Sequence, residues 1–191
     1  MKNFCLTGWA DILVFLVILI GAFLLIYAAH ASEFLVAKSS VQINGVIVKG
    51  DYERFILATK ELGSKDTIWL NSEGGHVLTG IQIAQLIKQK GWNTSVASND
   101  LCTSTCALIW LAGKPRFAMP KSHIGFHGVY FSEDKKPSTG GNAIVGAYLA
   151  ELGFNYNTIY FLTQSPPDEM EWLDIEKAKK FDIDVITIYN K

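Results

Sequence analysis

The chain reads as an α/β protein built from parallel crossover units. Three observations carry that expectation: short β-rich runs alternate with helical stretches from residue 41 onward, the loops between them are short, and no internal repeat or low-complexity tract interrupts the series. With 191 residues, 49% apolar and 18% charged, there is material for one core and scarcely two. Residues 41–49 (VQINGVIVK) read as a strand or hairpin around Gly45. Residues 51–62 follow as a helix, with Asp51 a candidate N-cap and Phe55, Ile56 and Ala58 on an apolar face. Residues 67–70 (TIWL) form a short buried strand, stopped by Asn71-Ser72-Glu73-Gly74-Gly75. The clearest amphipathic helix spans 77–90, where Ile81, Ala84 and Ile87 face inward and Lys-Gln-Lys-Gly closes the end. Residues 94–97 read as another strand, and 105–112 (TCALIWLA) as a wholly apolar helix ending at Gly113. Two extended pieces, 116–119 and 123–127, precede a polar, turn-rich surface loop at 131–141. Helices at 142–153 and 155–164, a Pro166-Pro167 break, a short charged helix at 174–180 and a strand at 185–189 complete the series.

The amino end is of another kind. Residues 12–29 are an unbroken apolar run, and no formal charge occurs from Ile12 to Ser32. At about 1.5 Å per residue such a helix reaches roughly 27 Å, close to the hydrocarbon core of a bilayer. It reads as a signal anchor or, because Ala29-His30-Ala31 fits a small-x-small pattern, as a cleaved signal peptide. A buried core helix is the third option. Lys2 precedes the run, and Lys38 and Lys49 follow it, so the charge rule speaks weakly for a cytoplasmic amino end and an exported remainder on the extracytoplasmic, periplasmic side. The expected organisation is a signal anchor or signal peptide at 1–31, a linker at 32–40 and an α/β domain at 41–191.

Seventeen Lys and Arg against eighteen Asp and Glu leave a net charge of −1, with no basic field to hold a phosphate backbone. No nucleic-acid partner is expected. Of three cysteines, Cys5 lies before the apolar run, which leaves Cys102 and Cys106 at a spacing of four. On a helix or its first turn their α-carbons would be about 6 Å apart, within reach of a disulfide. They read equally as two small buried side chains. Half of a zinc site is a poorer reading, since no second cysteine pair completes it. No constellation of metal-ligand spacing is present, and neither metal nor cofactor is expected.

Gly74-Gly75 lie between a strand and a helix, where glycines permit positive φ and let amides aim at an anion or carbonyl oxygen; a tight turn is the plain alternative. Ser104 stands at the entry to the apolar helix. It reads as an N-cap or as a nucleophile, and the second role needs a base. Among the four histidines, His127 ends an extended run 23 residues after Ser104, His123 begins that run, and His76 follows the glycine pair. His30 falls in the apolar segment. Each of the other three could equally be structural. A carboxylate would orient the imidazole, and Asp168-Glu169-Met170-Glu171 is the concentrated source, unless it is a solvated helix start.

Together these segments resemble the Clp protease proteolytic subunit and its relatives in the Clp protease/crotonase superfamily. Asn71-Ser72-Glu73-Gly74-Gly75 with Gly80, Ile81 and Ile83 is similar to the family's Asn-Ser-Pro-Gly-Gly turn and the helix after it. Cys102-Thr103-Ser104-Thr105-Cys106 through Ala112-Gly113 resembles the nucleophile segment, and 116–127 the stretch that ends in the catalytic histidine. The resemblance runs over about 41–188, clearest in 70–127. The Cys-x-Ser-x-Cys form looks like an exported branch of the superfamily. The resemblance implies a spiral of βαβ units, a peptide or protein substrate, Ser104 as nucleophile, His127 as general base, and the amides of Gly74 and Thr105 as the oxyanion hole. The family's aspartate aligns near Met170, so the acid role passes to Asp168, with Glu169 and Glu171 as substitutes. Glu73 replaces the family's proline, and 128–165 departs where an oligomerising helix would lie, so a homo-oligomer is a candidate state without the family's barrel following from it. Two other classes of function stay open: a catalytically silent scaffold or peptide-binding protein, and an acyl-CoA enzyme that uses the hole without covalent attack.

Overall fold

The computed structural model describes residues 13–18, 31–131 and 133–188. The chain divides into two units, residues 1–31 and 32–191. In the first, residues 13–18 are helical, and the remainder of the apolar run 12–29 lies outside the described residues, as do Cys5 and His30. Among the described residues no helix is long and apolar enough to cross a membrane.

The second unit runs β1 (Glu33–Ala37), β2 (Ser40–Asn44), α1 (Asp51–Ala58), β3 (Thr67–Asn71), α2 (Val77–Lys90), β4 (Asn93–Val96), β5 (Leu101–Thr103), α3 (Thr105–Ala112), β6 (Arg116–Ala118), β7 (His123–Phe126), α4 (Thr139–Glu151), α5 (Tyr156–Thr163), β8 (Glu171–Trp172), α6 (Ile175–Lys180) and β9 (Ile186–Thr187). Six strands form one sheet in the order β1-β2-β3-β4-β6-β9, and β5-β7-β8 form a second. From β2 to β9 the larger sheet is parallel, as crossover connections through helices require, and only β1 runs antiparallel at its edge. In the smaller sheet β5 and β7 are parallel and β8 returns antiparallel to β7.

Several expectations need correction. Residues 32–40 are not a linker, because 33–37 pair with β2 as β1 and Ser32 is buried against α1, its hydroxyl donating to Asp51 Oδ2 at 2.7 Å. The N-cap of α1 is Gly50, at φ 92°. Asp51 is instead a buried acceptor for Ser32, the Val48 amide and Arg54. Of the expected strand at 185–189, Ile186 and Thr187 form β9, and Tyr189 lies outside the described residues.

The core explains the placement of the site. Inward residues of β2 and β3 (Val41, Ile43, Ile68, Leu70) meet Ile83, Ala84 and Ile87 of α2. All eight residues of α3 are buried, so this helix is apolar on every side. Its C-terminal carbonyls find side-chain partners: the Tyr148 hydroxyl donates to Leu108 O at 2.8 Å, Thr94 Oγ1 to Trp110 O at 2.7 Å, and Arg116 Nε to Leu111 O at 2.8 Å. Burial pushes the Tyr148 phenol far up and the Arg116 guanidinium down from their ordinary ranges. Trp110 O and Leu111 O, at the carboxyl end of α3, thus have side-chain partners, whereas the amino end receives no side-chain cap.

Candidate active site

The uncapped end of α3 begins at Ser104. This residue has φ 56° and ψ −126°, a conformation that non-glycine residues seldom hold unless their surroundings impose it. The surroundings here are two strand ends and a loop. Ser104 N–H donates to Gly125 O at 2.9 Å, continuing the parallel β5–β7 ladder in which Thr103 faces Gly125. On the other side Ser72 pairs with Cys102: Ser72 N–H reaches Leu101 O at 2.7 Å, and Thr103 N–H reaches Ser72 O at 3.1 Å. Thr103 Oγ1 donates to Glu73 O and Thr105 Oγ1 to Gly75 O, while Asn71 Oδ1 accepts from the Leu101 amide. The segments 71–75 and 101–105 are thus one bonded unit. Ser104 makes no cap bond with its side chain, so the N-cap reading of its hydroxyl does not describe the structure.

Cys102, on β5, and Cys106, in the first turn of α3, flank this residue and are joined, with S–S 2.08 Å and Cα–Cα 5.1 Å. Both are fully buried. The bridge spans the strand-to-helix turn instead of lying along one helix.

Gly74 packs directly on the serine. A Cβ built on it would stand 2.8 Å from Ser104 Cβ, 2.7 Å from Thr103 O and 2.9 Å from Thr105 N. Only glycine brings a backbone this close, and at φ 97° only glycine is unstrained there. The two amides expected to face an oxyanion differ in state. Thr105 N–H belongs to the uncapped first turn of α3. Gly74 N–H already donates to the buried Ser72 hydroxyl at 3.0 Å.

His127 follows β7, two residues beyond the Gly125 carbonyl that holds Ser104. Parallel register therefore places both residues at the same ends of adjacent strands, where loops of α/β sheets gather chemistry. Among the described residues no hydrogen bond joins Ser104 Oγ to the His127 ring. Instead, His127 Nδ1 bonds Gly128 O at 2.7 Å, and the ring lies 5.3 Å from that of Tyr130.

The acid expected beside His127 is not brought there. Asp168 and Glu169 are exposed, and neither carboxylate bonds the ring. Glu171 pairs through its backbone with Phe126, but its carboxylate meets Lys177 Nζ at 2.6 Å. His123 stands at the opposite end of β7, edge-on to Trp172, and takes no part. His76 caps α2: its Nδ1 accepts from Thr79 N–H and bonds Thr79 Oγ1 at 2.8 Å. Burial, with Lys49 nearby, holds this imidazole below its ordinary pKa, which preserves the neutral ring that an acceptor needs. Sequence reasoning missed the Ser72 hydroxyl at the Gly74 amide, although it stood in the quoted turn motif, and the Gly128 carbonyl at the imidazole, because a backbone oxygen carries no signal. Among the described residues no group of three or more His, Cys, Asp or Glu could hold a metal ion.

A mostly parallel six-stranded sheet and a mixed three-stranded one, with a strained serine at the head of a buried helix and a histidine just past the end of the adjacent strand, define an α/β protein. The model of the Clp protease family matches residues 26–131, more than half of the chain. The chain therefore belongs to the Clp protease family. Among solved structures, ClpP1 from Listeria monocytogenes is similar with TM-score 0.59 and 23% identity, over 81% of this chain and 93% of that one. An Asn-to-Asp variant of the same ClpP1 gives TM-score 0.61 and 24% identity over the same shares. A Ser-to-Ala variant of 1510-N, a membrane-bound stomatin-specific protease, gives TM-score 0.57 and 19% identity over 80% of this chain and 81% of that one. At these identities the likeness establishes the fold. No curated protein matches the sequence.

Proposed function

We propose that this chain is a serine peptidase-type hydrolase of the Clp type. The observation that carries the proposal is Ser104 itself: a non-glycine residue at φ 56°, its hydroxyl unused as a cap, at the open amino end of a buried helix. His127 takes the Ser104 proton as the hydroxyl attacks a peptide carbonyl, then returns it to the leaving amine. Water releases the acyl-enzyme by the same route. The developing oxyanion meets Thr105 N–H, with the helix dipole behind it. Gly74 N–H joins when the Ser72 hydroxyl gives it up. One such donor is typically worth about 3–4 kcal/mol of barrier.

The test is hydrolysis of an unstructured protein substrate, or of fluorogenic peptides, by the full chain. Turnover that disappears in Ser104→Ala, with folding unchanged, is expected. Turnover undiminished in Ser104→Ala contradicts the proposal, and undiminished thioester turnover by that variant selects the acyl-CoA reading. The occupied Gly74 amide and, among the described residues, the missing Ser104–His127 bond and the absence of a carboxylate at the imidazole favour a silent scaffold, which a well-folded protein without turnover would select.

We place the domain on the extracytoplasmic side, tethered or exported through residues 12–29, on the strength of that uncharged apolar run. A Cys102–Cys106 bridge accords with an oxidising compartment. Added protease should digest an epitope placed after residue 190 in intact spheroplasts; protection of the epitope contradicts this placement.

A further inference from the structure

The group bonded to the imidazole at His127 Nδ1 is a main-chain carbonyl. We propose that Gly128 O takes the place of the orienting carboxylate, and that Asn142 is the positioning residue that fixes it; this rests on the hydrolase reading above. Gly128 is buried, and its own N–H donates to Ser165 O at 2.8 Å. A Cβ at Gly128 would meet Thr163 O, Ser165 O and Asn142 Oδ1 at 3.2, 3.3 and 3.4 Å, so the peptide has little room to turn. The next residue is clamped on both polar groups. Asn142 Oδ1 accepts from Val129 N–H at 2.8 Å, and Asn142 Nδ2 donates to Val129 O at 3.2 Å and to Ser138 O at 3.0 Å.

The strand register shows why no carboxylate takes this role. Gly125 pairs with Trp172 and Phe126 with Glu171, so the next antiparallel position opposite His127 is Met170. Met170 folds over β7, where a Cβ on Gly125 would stand 2.6 Å from Met170 Cγ. Glu171 is committed to Lys177, and Asp168 and Glu169 face solvent.

A carbonyl is an acceptor only. It selects the tautomer with the proton on Nδ1 and leaves the Nε2 lone pair for the Ser104 proton. It does this without a full negative charge, so the imidazolium formed during attack is less stabilised than beside a carboxylate. Acid substitutions near the site should therefore matter little, where an orienting aspartate is worth about 10⁴ in rate.

The tautomer can be read apart from activity. In the full chain with ¹⁵N-labelled histidine, and with the His127 signal assigned by its loss in His127→Gln, we expect the Nδ1–H tautomer. It should persist in Asp168→Asn, Glu169→Gln and Glu171→Gln, and become a mixture in Asn142→Ala. Asn142→Asp keeps the acceptor for Val129 N–H and should restore it in part. Turnover should follow the same order: acid variants within about 2-fold of the parent, and Asn142→Ala down at least 10-fold in kcat with KM unchanged. An Nε2–H tautomer, or a His127 signal that shifts with a rate loss of 10³ or more in one acid variant, overturns the inference. Loss of the hydrolase reading looks different, because turnover then survives Ser104→Ala or is absent from a parent whose Nδ1–H tautomer is intact.

Discussion

Replacing Gly74 by alanine is expected to lower the stability of the domain by about 2–5 kcal/mol and to abolish turnover. One part of the cost is conformational, since an L side chain at φ 97° is strained by about 1–2 kcal/mol. The other is steric. The new methyl would lie 2.7–2.9 Å from Thr103 O, Ser104 Cβ and Thr105 N, none of which is the loose end of a side chain, and overpacking of this kind costs about 1–3 kcal/mol. Relief must come from moving segment 101–105, which displaces Ser104 and the Thr105 amide together. Thermal unfolding should show a midpoint drop of roughly 4–20 °C for a domain of this size. Gly146→Ala is the control, because a Cβ there meets nothing within 4 Å and the position is inside α4. It should be neutral or slightly stabilising. A Gly74→Ala protein with unchanged midpoint and turnover would show that the close approach of the two segments is not needed.

Removing the imidazole in His127→Ala should lower kcat/KM by about 10²–10⁴, the usual worth of a positioned general base. Stability should change little. The ring is only half-buried; among the described residues its polar bond is to the adjacent Gly128 and its aromatic contact is to nearby Tyr130, so little packing is lost. That separation of rate from stability distinguishes His127 from Gly74, where both fall together. A stable His127→Ala protein with parental turnover would transfer the base role elsewhere.

The parts of the fold that were legible in the sequence are those whose burial is one-sided and long enough to repeat. Helix α2 was read at 77–90 and observed at Val77–Lys90, because Ile81, Ala84 and Ile87 mark one face and Gly91, at φ 68°, ends it. Helix α3 was read from its uniform apolarity, which survives because every side of it is covered. Strand β1 was missed for the opposite reason: at the sheet edge Leu35 and Val36 are exposed, so Glu33–Ala37 has no buried face to betray it. Strand β5 is three residues long, too short for any period, yet it positions Ser104. The site divides in the same way. Of the proposed site, Ser104 and His127 were legible through the order of the segments that carry them. The Gly128 carbonyl was not, since a main-chain oxygen is common to all residues and acquires a role only when tertiary bonds to Ser165 and Asn142 hold it still.

Covalent trapping tests most directly whether the Ser104 hydroxyl acts as a nucleophile. The full-length protein should be treated with a fluorophosphonate, digested, and its peptides sequenced by tandem mass spectrometry. A single phosphonyl adduct on Ser104, absent when the protein is first heat-denatured, is the predicted result. An adduct on a different residue, or none under conditions that fully label a known serine hydrolase, would contradict it.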